Sequence, residues 1–123
     1  MANENPKLTI TLTGRAPVTV DKEQWPVIAS AKDWDNQYEF QANRTWKLTV
    51  RQHEDGRAIV YGVYTTQYQN EDERRGGELL DTNRPGTGTE PDIPGAILRV
   101  AEYLNFDRRL ADRCIADLPA VDI

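Results

Sequence analysis

Two side chains carry the chemistry of a nucleophile and its base, Cys114 and His53, and each is the single residue of its type in the chain. A reactive thiolate needs a neighbouring base or cation. His53 lies beside an expected hairpin turn, where a solvated strand-end imidazole is the simpler account. Cys114 stands four residues from both Leu110 and Leu118, on the apolar stripe of an expected helix, which suits a small core residue. One His and one Cys do not complete a structural zinc site. Glu71-Asp72-Glu73 lacks the alternating ligand spacing of a calcium loop and reads as a solvated charge run. Gly76-Gly77 and Gly86-Thr87-Gly88 match neither GxxxxGK[ST] nor GxGxxG, so they read as flexible loop. No catalytic constellation, metal site or cofactor is expected, and the chain is read as not an enzyme. An enzymatic alternative requires the fold to bring Cys114 and His53 together.

The elements that position these residues centre on one hairpin. Two strand-like runs, 44–53 and 57–68, flank Glu54-Asp55-Gly56, and Asp-Gly between alternating runs suits a turn with positive φ. With Asp55 and Gly56 as the loop, Val50 faces Tyr61, Leu48 faces Val63 and Trp46 faces Thr65. On the other side Arg51 faces Val60, Thr49 faces Gly62 and Lys47 faces Tyr64. That second side presents Lys47, Arg51 and Tyr64 around a bare Gly62, cations beside an aromatic, which makes a partner-contact surface. A bulge would shift the register by one and exchange the faces. Glu71, Asp72, Glu73, Arg74 and Arg75 form a second candidate contact segment. RNA stacking on Tyr64 or Tyr61 is a narrower reading.

Around the hairpin, Lys7 to Thr13 alternates with Leu8, Ile10 and Leu12 on one face, a half-buried strand, and Pro17 to Val20 suits a short second one. Asp21 with Gln24 resembles a capping box, and Trp25, Ile28 and Ala29 share a helical face, predicting a short helix over 22–31 despite Pro26 near its first turn. Tyr38 to Gln41 adds a further strand with its two aromatics on one face. Residues 69–92 read as a long polar loop. Ile97, Val100, Ala101 and Leu104 predict a helix stopped at Asn105. Asp107 then caps a second helix carrying Leu110, Cys114, Ile115 and Leu118, ended by Pro119. The expected fold is α+β: a single domain over 1–123 with a loose tail over 1–6, an antiparallel sheet of about four strands, one short N-terminal helix and two C-terminal helices. Its expected core is Leu8, Ile10, Leu12, Trp25, Ile28, Trp46, Leu48, Val50, Val63, Ile97, Val100, Leu104, Leu110 and Ile115.

Length and composition agree with that outline. The chain has 123 residues, 38% of them hydrophobic, with three Trp, five Tyr and two Phe for a small core, and a mean hydropathy of -0.71. One domain fits this length, since two cores of about 60 residues would each be marginal. No apolar run reaches the roughly 20 residues of a membrane span, the first residues lack the pattern of a secretory signal, and one Cys suits a reducing compartment. A cytoplasmic protein is expected. The net charge is -5, and the acidic excess falls mostly in residues 61–92. A general nucleic-acid binder carries a basic footprint, so no direct nucleic-acid binding is expected. A carboxylate mimic of nucleic acid calls for far more negative charge.

The stretches Asp21-Lys22-Glu23-Gln24-Trp25-Pro26-Val27-Ile28-Ala29-Ser30-Ala31 and Trp46 to Tyr64, about a quarter of the chain, resemble segments of small uncharacterised proteins carried on bacterial plasmids and integrative elements. The resemblance brings no catalytic motif. It implies a mobile-element setting, in which small non-enzymatic proteins block host defences, as anti-CRISPR and anti-restriction proteins do. The reading is therefore a protein-binding module that inhibits by surface occlusion, its partner a host defence or other nucleic-acid-handling complex. The alternatives are a small-ligand-binding domain and a structural homodimer joined through the hairpin face.

Overall fold

The structure, a computed structural model, describes residues 6–81 and 91–120. Its elements run β1 (Lys7–Leu12), β2 (Arg15–Asp21), β3 (Val27–Trp34), β4 (Arg44–Gln52), β5 (Ala58–Thr66), β6 (Arg74–Leu80), α1 (Ile93–Tyr103) and α2 (Arg108–Ala116). Strands β3-β4-β5-β6 form an antiparallel sheet in that order, and β1-β2 form a separate hairpin. The α+β class holds, with six strands in two sheets among the described residues.

The two faces of the large sheet are covered differently. One carries Ala29, Leu48, Val50, Val60 and Tyr64, which pack with Ile97, Val100, Leu104, Leu110 and Cys114 of the helical layer. The other carries Ile59, Tyr61 and Leu79, covered by Ile10, Leu12 and Val20 of the β1-β2 hairpin and by Trp25. The alternation of β1 thus has the expected meaning, Ile10 and Leu12 inward and threonines outward. The hairpin is joined to the sheet edge where the Thr13 N–H donates to the Gly77 carbonyl at 2.8 Å and the Gly77 N–H donates to Thr13 Oγ1 at 3.2 Å. Of the expected core, Ile10, Leu12, Trp25, Leu48, Val50, Ile97, Val100, Leu104 and Leu110 are buried. Leu8, Ile28, Trp46 and Ile115 pack at its margins, and Val63 is half-buried on the face away from the helices.

The central hairpin forms, but its register differs by one residue from that predicted with a two-residue loop. Val50 pairs with Val60, Leu48 with Gly62, Trp46 with Tyr64, and Lys47 with Val63. The loop is three residues, Glu54-Asp55-Gly56: the His53 N–H donates to the Arg57 carbonyl and the Gly56 N–H to the His53 carbonyl, with Gly56 at φ +101°. A turn followed by a left-handed glycine is the bulged alternative to the tight loop. Because side chains alternate with period two, this one residue separates the expected contact face. Lys47 and Arg51 share a face with Ile59, Tyr61 and Val63, while Val60, Gly62 and Tyr64 point to the helices.

Three further expectations are corrected. The helix over 22–31 is not formed: Asp21 does cap one turn, accepting from the Glu23 N–H through Oδ1 and from Gln24 and Trp25 through its carbonyl, but Pro26 ends it and β3 follows. Proline supplies no N–H and disfavours a helical residue before it. Tyr38 to Gln41 is not a strand; Glu39–Gln41 make one 3-10 turn. The segment expected as a polar loop over 69–92 contains β6, with Gly76 and Gly77 buried inside it; its residues 82–90, with Gly86-Thr87-Gly88, lie outside the described residues, as do residues 1–5 of the expected tail. The two C-terminal helices form, with Asn105 at φ +59° between them and the Asp107 side chain accepting from the Arg109 N–H at 2.8 Å; the second ends at Ala116, before the expected Leu118 and Pro119. Among the described residues no helix is long and apolar enough to cross a membrane.

Candidate protein-interaction surface

One end of the large sheet is built from two connections, 35–43 between β3 and β4 and 67–73 between β5 and β6. They are laced together. The Gln67 N–H donates to the Asn43 carbonyl at 2.9 Å, and Asp35 Oδ1 accepts from the N–H groups of Asn43 at 2.9 Å and Arg44 at 3.2 Å. Glu71 forms the main latch. Its carboxylate accepts from Arg44 Nε at 3.1 Å and Nη2 at 2.7 Å, and from the hydroxyls of Tyr64 and Thr66, each at 2.8 Å. The Arg44 guanidinium first, then the Tyr64 and Thr66 hydroxyls, hold this carboxyl down at about 2. Glu71 in turn holds the Arg44 pKa above its ordinary value.

The guanidinium of Arg44 lies 4.5 Å from the centroid of the Tyr68 ring. Arg74 stacks at the same distance over Tyr64, whose ring meets Trp46 at 5.3 Å. Arg74 Nε is buried without a hydrogen-bond partner among the described residues, and the ring face is its contact there. Outside this frame stand aromatics that the fold does not cover. Tyr38 and Phe40 stack on each other with centroids 5.5 Å apart and planes 21° apart, and Phe40 is 83% exposed. The 3-10 turn that carries them buries no residue. Tyr38 and Tyr68 are also exposed. The alternation of Tyr38 and Phe40 in the sequence was therefore a true sign that they share a side, on a turn and not on a strand.

The residues singled out from the sequence fall into two groups. Tyr64 is interior at 6% exposure, and Glu71 and Arg74 are occupied within the fold. Arg51 is likewise occupied, donating to the Tyr61 hydroxyl at 2.9 Å and the Trp25 carbonyl at 3.0 Å. Lys47, Asp72, Glu73 and Arg75 are exposed, Glu73 and Arg75 pairing at 3.1 Å. Lys32 and Trp34 are not legible in the sequence, because the helix expected over 22–31 conceals the strand β3 that carries them.

His53 and Cys114 are not joined by a hydrogen bond. Cys114 is fully buried in the helix-side core, where burial, then Asp117, pushes its thiol up to about 11. His53 accepts the Asp55 N–H at Nδ1, 3.1 Å away, and its ring lies 5.2 Å from that of Trp25. It borders an open groove of about 620 Å³ with Glu23, Pro26, Ile28, Gln52 and Glu54. Among the described residues no three His, Cys, Asp or Glu side chains converge as metal ligands. Comparison of the chain with models of protein families, with curated proteins and with solved structures finds no match, so the functional reading rests on these residues.

Proposed function

We propose that this chain is a non-enzymatic protein-binding module that acts by occupying a partner's surface, and that the end of the sheet bearing Tyr38, Phe40 and Tyr68 is its contact site. The observation that carries the reading is the Tyr38–Phe40 stack, held outside the core by a turn that buries nothing of its own. Exposed aromatics fixed on a rigid frame, with an arginine stacked nearby, have the composition of interface anchors. The latch of Glu71 and Arg44 pre-orders the two connections, which lowers the entropy cost of docking. Inhibition of a host defence complex is the form of this reading to test first, given the resemblance to mobile-element proteins.

The test is a tagged pull-down from bacterial lysate, with nuclease, comparing the wild-type chain with the double variant Tyr38→Ser, Phe40→Ser. A stoichiometric protein partner should be retained by the wild type and lost by the variant. With that partner purified, the variant should bind at least about tenfold more weakly, the loss expected of interface anchors. Equal retention by both forms would remove the aromatic end from the site. Recovery of the chain alone, from hosts with and without such defence systems, would count against the module.

A further inference from the structure

We propose that the uncovered half of the large sheet binds an acidic segment of a protein partner, with Lys32, Lys47 and Arg75 receiving its carboxylates and Trp34 and Val63 its apolar groups. This deepens the protein-binding reading and rests on it. The strand registers put the cations in one row: Lys32 lies opposite Lys47, Lys47 opposite Val63, and Val63 opposite Arg75. With adjacent strands about 4.8 Å apart, Lys32 and Lys47 are direct neighbours and Arg75 stands roughly 10 Å beyond. Trp34, two residues along β3 from Lys32, projects to the same side. The β1-β2 hairpin covers Ile59, Tyr61 and Leu79 on this face and leaves the row outside its cluster.

The fold gives no reason for this charge pattern. Like charges directly opposite on one sheet face are destabilising, yet Lys47 is exposed and no ion pair or hydrogen bond engages it among the described residues. Lys32 pairs with Glu39, and Arg75 with Glu73, but all four side chains are between 41% and 51% exposed. Exposed pairs of this kind exchange partners at little cost. An incoming carboxylate at Lys47 neutralises the one cation of this row that has no counterpart among the described residues.

The surroundings favour a protein segment over a nucleic acid. Asp35, Glu39, Glu71, Asp72 and Glu73 lie in the connections that run beside the row at one end of the strands, and the chain carries a net -5. A polyphosphate, charged at every unit, faces that acidic rim along its whole length, whereas a segment with two or three spaced carboxylates meets the cations alone.

The test is an anisotropy titration of the full chain against a fluorescein-labelled peptide of alternating glutamate and valine at low salt, beside a labelled oligothymidylate. The peptide should bind, weaken as salt rises, and lose at least about tenfold in affinity with Lys47→Glu and with Arg75→Glu. Lys47→Glu places opposite charges at Lys32 and position 47, so its melting temperature should be unchanged or higher, and lost binding is then not unfolding. No binding by the wild type, or unchanged affinity in Lys47→Glu, overturns the proposal. So does tighter binding of the oligothymidylate that Lys47→Glu abolishes, or a wild-type dimer in sedimentation that the same variant dissolves. A partner captured in the pull-down and still held by Lys47→Glu, but lost with Tyr38→Ser, Phe40→Ser, leaves the protein-binding reading standing and removes this inference alone.

Discussion

Gly62 sits in the middle of β5 beneath the junction of the two helices. A Cβ there would lie 2.6 Å from Leu104 Cδ1 and 3.1 Å from both Leu48 Cδ2 and Phe106 Cε2. Leu104, Leu48 and Phe106 are themselves buried, so making room for the Cβ displaces packed side chains. Gly62→Ala should destabilise the chain by about 1–3 kcal/mol, the range for overpacked cores. Denaturant unfolding would show it as a lower midpoint at constant slope; an unchanged midpoint would mean the helices lift away at no cost. Gly76 and Gly77 follow the same logic in β6. Added Cβ atoms would meet Tyr103 and Thr13 at the first and the Val60 carbonyl oxygen, 2.6 Å away, at the second. Read from the sequence alone, this glycine pair signals flexibility. In the folded chain it marks a strand that neighbouring groups approach too closely for any side chain. A pair of adjacent glycines carries no local sign of which of these holds, because the cause is the tertiary neighbour.

At the scale of the element, α1 shows a cap and a glycine that depend on each other. The Asp92 side chain accepts the Gly95 N–H at 3.0 Å, and a Cβ at residue 95 would fall 2.1 Å from Asp92 Oδ2. Asp92→Ala should cost about 1 kcal/mol, as loss of an N-cap does. Gly95→Ala in the native background displaces the cap and should stabilise nothing, although alanine is the better helix former. In the Asp92→Ala background the clash is gone, and Gly95→Ala should then stabilise by up to about 1 kcal/mol. Melting curves of the four chains in a double-mutant cycle test this; additive effects would disprove the coupling. The edge strand β3 illustrates how neighbours protect an element. Its outer edge is met by α2, where the Ser30 N–H donates to Asp117 Oδ2 at 2.9 Å and Arg113 donates to the Lys32 carbonyl at 3.1 Å. These bonds, with the ladder to β4, give residues 27–34 the extended form that local helical spacing did not suggest.

For the molecule as a whole, the latch at Glu71 ties β4, β5 and the connection into β6 into one unit. Because its carboxyl is held at about 2 against an ordinary 4.5, the ionised form is the one the fold stabilises. That contribution is complete above about pH 4.5 and is lost as pH falls through about 2. The stability advantage of the wild type over Glu71→Gln should therefore shrink across that interval and hold constant from pH 5 upward, as thermal melts at stepped pH would record; a difference independent of pH would show that Glu71 acts through packing alone. Local sequence signals reach the α+β class, the existence of the 44–66 hairpin, the inward face of β1, most of the core, and both C-terminal helices with the stop of the first at Asn105; the second helix ends at Ala116, short of the Pro119 stop. The features reached follow from local periodicity, capping and turn chemistry. The remaining features depend on contacts that exist once the chain is folded. One additional loop residue, Glu54, set the parity of the hairpin faces, which put Tyr64 in the core and Lys47 on the opposite face, where it meets Lys32. Burial made a strand of Arg74–Leu80, and an edge position with Pro26 before it made a strand of 27–34. Glu71 became a latch because Arg44, Tyr64 and Thr66 converge on it from two strands. In most of these cases the deciding contacts are made between strands or between a strand and a helix, and the spacing within one element carries no record of them.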